Sequence, residues 1–250
     1  MKALITGASS GIGVDMARIL SSKGYDLILV ARNKRKLEKL KKEMTTNVEI
    51  IIHDLSSTFN CMELYNKVKN EDIEIVINNA GFGVYGEFFE TSLDKELDMV
   101  DLNIKAVHIL TKLFLRDFKK KNHGYILNVS SLAAFAPGPL MASYYATKAY
   151  VLKLTEAIYE ELRQEGSNIY IGALCPGPVT TNFNKIAGIK KAMNALPSYV
   201  VAEYTIKKMF KRKTIIIPGK LTKMVRYINI LLPNKTLSRF VYIIQKRKNN

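Results

Sequence analysis

Tyr144 and Lys148, in the run Tyr144-Tyr145-Ala146-Thr147-Lys148, stand four residues apart and so share one face of a helix. A tyrosine is a poor proton donor or acceptor near neutrality, because its ordinary pKa is about 10. A neighbouring ammonium favours the phenolate, lowers that value and makes the pair a usable general acid and base. Tyr-x-x-x-Lys alone is common. Upstream, Asn128-Val129-Ser130-Ser131 ends a strand-like run and brings hydroxyl donors to the same place. The chemistry such a set could do is proton transfer at an oxygen.

A second group of residues could hold a phosphate. Thr6-Gly7-Ala8-Ser9-Ser10-Gly11-Ile12-Gly13 joins the first apolar run to the first amphipathic segment. Gly7 supplies a tight turn, Gly11 lets backbone approach a pyrophosphate, and Gly13 lets the helix pack closely on a sheet. The helix start then presents N–H groups and a positive dipole end to the anion, with Ser9, Ser10 and Ile12 beside it. In NAD-binding units an acidic residue near the end of the second strand holds the ribose. Here that strand ends Leu29-Val30-Ala31-Arg32, and a guanidinium suits a 2′-phosphate, so NADP(H) is expected over NAD(H). Lys34, Arg35 and Lys36 are read as a solvated helix start.

These groups need elements to position them. Apolar runs of strand length at Ala3–Thr6, Asp26–Val30, Val48–Ile52, Ile73–Ile77, Tyr125–Val129, Ile169–Leu174 and Thr214–Ile217 alternate with amphipathic segments. The segments lie near 12–22, 34–44, 58–69, 94–120, 143–165 and 199–210. Short, mostly apolar strands suit a sheet covered on both faces, so the alternation predicts right-handed βαβ units and a doubly wound parallel sheet. Gly/Pro clusters at Gly81–Gly86, Pro137–Pro139 and Pro176–Pro178 follow predicted strands, at the edge where open α/β sheets bind ligands.

In this order and at these strand ends, the motifs resemble the short-chain dehydrogenase/reductase family over about residues 1–220. The matching pieces are Thr6–Gly13, Asp54, Asn78-Asn79-Ala80-Gly81, Asn103, Asn128–Ser131, Tyr144/Lys148 and Pro176-Gly177. The resemblance implies an α/β Rossmann-type sheet of seven strands and an NADP(H)-dependent oxidoreductase working on a carbonyl/alcohol pair. It implies that Tyr144 is the acid/base and that Lys148 lowers its pKa and holds the nicotinamide ribose. Ser131, thirteen residues before Tyr144, would steady the substrate oxygen, and Asn103 would hold a water linking Lys148 to solvent. It also places Asp54 and Leu55 at the adenine, and Asn79, Ala80 and Gly81 beneath the cofactor. Pro176, Gly177, Val179 and Thr181 would lie at the nicotinamide amide. Thr147 and Ala134 stand where the family often has serine and glycine, and neither removes a group the mechanism needs. A homodimer or homotetramer packed through helices 101–120 and 145–165 is implied as well.

The 250 residues carry a formal charge of +16, but unevenly: residues 201–250 hold 13 basic side chains and 1 acidic, whereas residues 1–100 hold 13 and 15. A nucleic-acid binder with its cations along one groove is not expected from this distribution. Residues 1–220 are expected to form the catalytic domain, and 221–250 a basic helical extension of it. In that extension Leu221, Met224, Val225 and Ile228, then Leu237, Phe240, Val241 and Ile244, recur at helical spacing around Pro233-Asn234. Such helices either pack on the domain or a partner subunit, which is the favoured reading, or lie on an anionic membrane surface. Two cysteines, Cys61 and Cys175, make no disulfide framework, and no secretory segment precedes the first strand, so a cytoplasmic setting is expected. His53, His108 and His123 lack metal-ligand spacing, and no metal is expected.

The substrate is expected to be a small hydrophobic ketone or alcohol, or an acyl chain on an anionic carrier. Phe82, Val84, Leu132, Phe135, Leu140, Met141, Phe183, Ile186, Met193 and Leu196 are the candidate walls, with Lys185, Lys190 and Lys191 at the rim. The alternatives are a 3-oxoacyl thioester reductase and, outside catalysis, a nucleotide-sensing or membrane-tethered binding module.

Overall fold

In the computed structural model, which describes residues 1–190 and 195–248, the seven apolar runs become parallel strands of one sheet. They are β1 (Lys2–Thr6), β2 (Asp26–Ala31), β3 (Val48–Ile52), β4 (Ile73–Asn78), β5 (Gly124–Val129), β6 (Ile169–Leu174) and β9 (Ile215–Ile216), in the spatial order β3-β2-β1-β4-β5-β6-β9. Leu4 of β1 lies opposite Ile28 of β2 on one side and Val76 of β4 on the other. The chain therefore winds outward from β1 to β3 and restarts at β4, leaving a crevice beyond the carboxyl ends of β1 and β4. This topological switch point is where doubly wound sheets hold ligands.

Successive strand residues point to opposite faces, and each face has its own apolar layer. Ala3, Ile5, Leu27 and Leu29 pack with Met16 and Leu20 of α1 (Ile12–Ser22), Leu37 of α2 (Lys34–Lys41) and Ile206 and Met209 of α8 (Ser198–Phe210). Leu4, Ile28, Val76 and Ile126 pack with Leu64 of α3 (Thr58–Val68), Phe114 and Phe118 of α5 (Val107–Lys121) and Leu162 of α6 (Ala142–Gln164). Side-chain caps fix several starts: Asn33, Ser57 and Ser92 accept from backbone N–H groups at α2, α3 and α4 (Leu93–Val100).

A buried polar cluster crosses the second layer. Asn78 Nδ2 donates to Asn128 Oδ1 (2.8 Å) and Thr111 Oγ1 (3.1 Å), and Asn128 Nδ2 donates to Thr155 Oγ1 (3.0 Å). It pins β4 and β5 to α5 and α6, the elements that carry the site.

The structure departs from the periodicity in four places. The helix expected over 94–120 is interrupted at Asp101–Ala106 by π-type turns, because buried Asn103 turns to another backbone segment. The helix expected over 34–44 ends at Lys41. The strand expected over Thr214–Ile217 shortens to Ile215–Ile216. Between β6 and α8 the chain forms β7 (Val179–Thr180), α7 (Phe183–Ala187) and β8 (Leu196–Pro197), with β7 and β8 pairing in parallel. Two-residue strands are too short to show a period. The C-terminal extension forms α9 (Lys220–Leu231) and α10 (Asn234–Lys246), divided at extended Leu232 and Pro233.

Candidate active site

The loop after β1 supplies the floor of the crevice. Gly7 and Gly11 adopt positive φ of 64° and 59°, a region that L side chains avoid. A Cβ on Gly13 would lie 2.8 Å from Gly7 O and 2.6 Å from Asn79 Nδ2, so α1 starts where only glycine fits. A Cβ on Gly11 would meet Thr181 Cγ2 at 2.8 Å, so this position faces the loop after β6. No side chain caps α1, which starts at the carboxyl end of β1, although the N–H groups of Val14 and Asp15 reach Gly11 O. Asn79 Nδ2 donates to Thr6 O (2.9 Å) and Gly7 O (3.2 Å), while Thr6 Oγ1 accepts from the N–H groups of Asn79 and Ala80, both at 3.0 Å. The Thr6 hydroxyl is a structural brace that the glycine pattern did not single out. These bonds lock the two strand ends flanking the switch point. An uncapped helix start and closely packed glycines suit a dinucleotide pyrophosphate.

At the far end, Arg32 Nη1 lies 3.3 Å from Asp54 Oδ2. Two residues expected to meet different parts of the cofactor therefore touch each other. Arg32 is 70% exposed and Asp54 42% exposed, so the pair is weak and open to exchange for another anion. Asp54 also accepts from the N–H (3.1 Å) and Oγ (2.8 Å) of Ser56; although burial pulls the other way, these bonds and the guanidinium hold its carboxyl below the usual value. Leu55 beside it is buried.

The catalytic candidates converge at the ends of β4 and β5 and on α6. Tyr144, Lys148 and Asn103 are all buried, with Tyr144 8% exposed, Lys148 4% and Asn103 0%. Ser131 caps a short 3₁₀ turn at Leu132–Phe135, its Oγ accepting from Ala133 N at 3.1 Å. Its neighbour Ser130 instead donates to Lys148 O (2.7 Å) and faces inward. Lys148 Nζ donates to Val129 O (2.9 Å) and lies 5.9 Å from the centroid of the Tyr144 ring. Asn103 Oδ1 accepts from Phe82 N (3.1 Å), and its Nδ2 donates to Phe82 O (2.9 Å) and Thr147 Oγ1 (3.1 Å). A Cβ on Gly81 would fall 2.8 Å from Asn103 Oδ1 and 3.3 Å from Lys148 Nζ, so glycine lets both groups approach the Ala80–Gly81 backbone.

Burial is the dominant electrostatic fact here. It pushes the Tyr144 phenol well above its ordinary value, against a lowering hydrogen bond with Ser131. It pushes Lys148 down to about 8. The expected lowering of the tyrosine by the ammonium is not the balance in this state, since Nζ is turned to the Val129 oxygen and burial penalises both charged forms.

The loop after β6 closes the other side. Pro176 O accepts from Leu132 N (2.8 Å), Val179 packs on the first apolar layer, and Thr181 Oγ1 accepts from Phe183 N (3.1 Å). A Cβ on Gly177 would meet Thr222 Oγ1 of α9 at 2.9 Å, a contact 45 residues away with no local signal.

The apolar wall is partly as expected. Phe82, Val84, Met141 and Phe183 gather around Tyr144 together with Tyr85, Met99, Tyr145, Ala187 and Ile189, which carry no local signal of a pocket role. The rings of Phe183 and Tyr144 are 5.2 Å apart, and Phe183 also reaches the place a Cβ on Gly83 would fill. Three candidates go elsewhere. Phe135 packs with Leu152 and Cys175, Leu196 joins the core below the sheet, and Ile186 is exposed on the outer side of α7. Met193 and Lys191 lie outside the described residues. Each histidine has a local partner: His53 with Glu63, His108 with Tyr150 and His123 with Glu74.

The sequence pattern of the short chain dehydrogenase family matches residues 1–191. The chain belongs to the short-chain dehydrogenase/reductase family. Within it, the chain is 28% identical over 247 residues to very-long-chain 3-oxoacyl-CoA reductase-B of Danio rerio, covering 96% of this chain and 78% of that one. A short-chain dehydrogenase from Sphingobium yanoikuyae in complex with NADPH superposes with a TM-score of 0.82 at 29% identity, over 93% of this chain and 96% of that one. The bulky-bulky ketone specific alcohol dehydrogenase from Comamonas testosteroni superposes with a TM-score of 0.79 at 28% identity, over 91% and 90%. Membership makes the protein an oxidoreductase, and the switch-point crevice of this fold is the family's nucleotide site.

Proposed function

We propose that this short-chain dehydrogenase/reductase uses NADP(H) to interconvert a hydrophobic ketone and its alcohol, with Tyr144 as general acid and base. The observation that carries the reading is the convergence of Ser131, Tyr144 and Lys148 on one apolar wall built around the Tyr144 ring. When bound, the nicotinamide supplies the hydride and the chain supplies orientation and proton handling. Gly7, Ser9, Ser10, Gly11, Ile12 and Gly13 hold the pyrophosphate at the uncapped start of α1. Arg32 leaves Asp54 for the 2′-phosphate and Asp54 turns to the adenine side beside Leu55. Asn79, Ala80 and Gly81 support the cofactor from β4, while Pro176, Gly177, Val179 and Thr181 hold the nicotinamide amide.

Ser131 Oγ donates to the substrate oxygen, and Tyr144 Oη gives or takes the proton there. Lys148 sits within reach of Tyr144 and stabilises its phenolate in the charged state of the site. Asn103 fixes the Phe82 backbone and, through it, the wall of the pocket. The full acid/base set separates this reading from a nucleotide-sensing module, which has no need of Tyr144.

A 3-oxoacyl thioester is the second substrate reading, favoured by the likeness to the Danio rerio reductase and by exposed Lys185 and Lys190 beside the apolar wall. In solution the subunits pair through α5 and α6, where Tyr150 and Tyr159 are partly exposed.

Tyr144→Phe tests the assignment. The expected outcome is a loss of turnover of at least about a thousandfold with NADPH affinity unchanged, a scale set by general acid–base catalysis. Retained turnover overturns the role of Tyr144. Ketones, steroids and 3-oxoacyl thioesters assayed in parallel with NADPH and NADH separate the two substrate readings.

A further inference from the structure

The two C-terminal helices are amphipathic, yet α9 is mounted with its apolar stripe outward. Leu221, Met224, Tyr227, Ile228 and Leu231 recur along one side of α9 and are 44–82% exposed. Its opposite side holds on to the enzyme: Thr222 packs at Gly177, and the Arg226 guanidinium lies 5.2 Å from the Phe135 ring. No residue of α9 is buried. On α10, Leu237 and Gln245 face inward, with Gln245 Nε2 donating to Tyr145 Oη (2.6 Å) and Tyr85 Oη donating to Gln245 O (3.1 Å). Phe240, Ile243 and Ile244 of α10 are left about half exposed. Each helix is therefore anchored to residues around the active site, while ten large apolar side chains of the two, Ile230 and Tyr242 among them, stay exposed. Contiguous apolar surface rimmed by charge marks an interaction site.

The charge selects the occupant. The last carboxylate side chain in the sequence is Glu203, and Lys220, Lys235, Arg239, Lys246 and Arg247 flank the stripes, while Lys223 turns back to the Tyr204 ring of α8 at 5.4 Å. Among the described residues Lys220, Lys235 and Arg239 form no ion pair. A second copy seated on this face by a two-fold axis would bring an identical set of cations against them. An anionic lipid surface offers apolar depth and opposite charge together. No described helix is long and apolar enough to cross a membrane, so the fitting geometry is a helix lying in the interface plane.

We infer that α9 and α10 form a peripheral docking surface for anionic phospholipid. The helices insert their apolar stripes among the acyl chains, the cations meet the headgroups, and the wall of the active site is held next to the bilayer.

The test is sedimentation of the full chain with phosphatidylcholine vesicles, with and without about one third phosphatidylglycerol. The wild type is expected to pellet with the anionic vesicles and to stay in solution with the zwitterionic ones. Met224→Asp combined with Leu231→Asp is expected to weaken that binding by at least about tenfold, since each change removes an inserted apolar group. Both positions are exposed, so the thermal midpoint stays within a degree or so of wild type, which checks that folding is intact. Tyr144→Phe is expected to bind vesicles as wild type does, so failure of the catalytic reading leaves this result readable. The inference is overturned if the wild type stays in solution with anionic vesicles or if the double variant pellets equally. It is also overturned if, without lipid, the wild type sediments as a dimer and the variant as a monomer, which would give the face to a second copy.

Discussion

Replacing Lys148 with methionine should destroy activity and make the protein more stable. The ammonium is buried against the end of β5, and its acceptor among the described residues is Val129 O at 2.9 Å. Burial lowers its pKa from 10.5 to about 8, a penalty of about 3 kcal/mol on the charged form at neutral pH. Methionine follows a similar path without the charge and loses the bond to the Val129 oxygen, which costs about 1 kcal/mol. The expected net gain is about 2 kcal/mol, or roughly 4–8 °C in thermal midpoint for a chain of this size. The pH dependence carries the sharper test. Below pH 8 the folded and unfolded wild type both hold the proton, and the variant keeps its full lead. Between about 8 and 10.5 the folded state has released a proton that the unfolded state still holds. Wild-type stability therefore rises with pH relative to the variant, and the lead closes. Thermal unfolding of both proteins at pH 7 and pH 10 measures this. A Lys148→Met protein that melts no higher than wild type at pH 7, or keeps the same lead at pH 10, refutes the account.

Arg32→Ala should raise the KM for NADPH by about tenfold to a hundredfold, the scale of a charge-assisted phosphate contact, while leaving NADH kinetics unchanged; equal effects on both cofactors would overturn the phosphate role. Asn128→Ala removes the centre of the buried network between Asn78, Thr111 and Thr155, so urea unfolding should show a loss of about 2–4 kcal/mol. A change below about 1 kcal/mol would mean the network relaxes around the gap.

Much of the fold lies in local pattern. Each of the seven strands begins or ends within a residue or so of its apolar run, because parallel strands covered on both faces are mostly apolar. The first glycine loop is as direct: positive φ at Gly7 and Gly11 and the closeness of Gly13 to Gly7 O are demands that only glycine meets, so the residue type reports the geometry. Periodicity puts Asn103 in a regular helix, yet it lies in π-type turns, because its bond to the Phe82 backbone joins residues 21 apart. The apolar character of Phe135, Ile186 and Leu196 fits a pocket wall as well as a core, and only packing assigns them elsewhere.

The βαβ order, the basic character of the tail and the side chains able to carry proton chemistry are all legible in the amino-acid order alone, since periodicity, charge and residue type are local properties. Tertiary structure decided what those groups experience. It paired Arg32 with Asp54, buried Tyr144 and Lys148 so that both resist ionisation, and set Thr222 of α9 against Gly177. It also turned the apolar stripe of α9 away from the core. A helical wheel shows that such a stripe exists, but only the contacts on the opposite side show which way it faces.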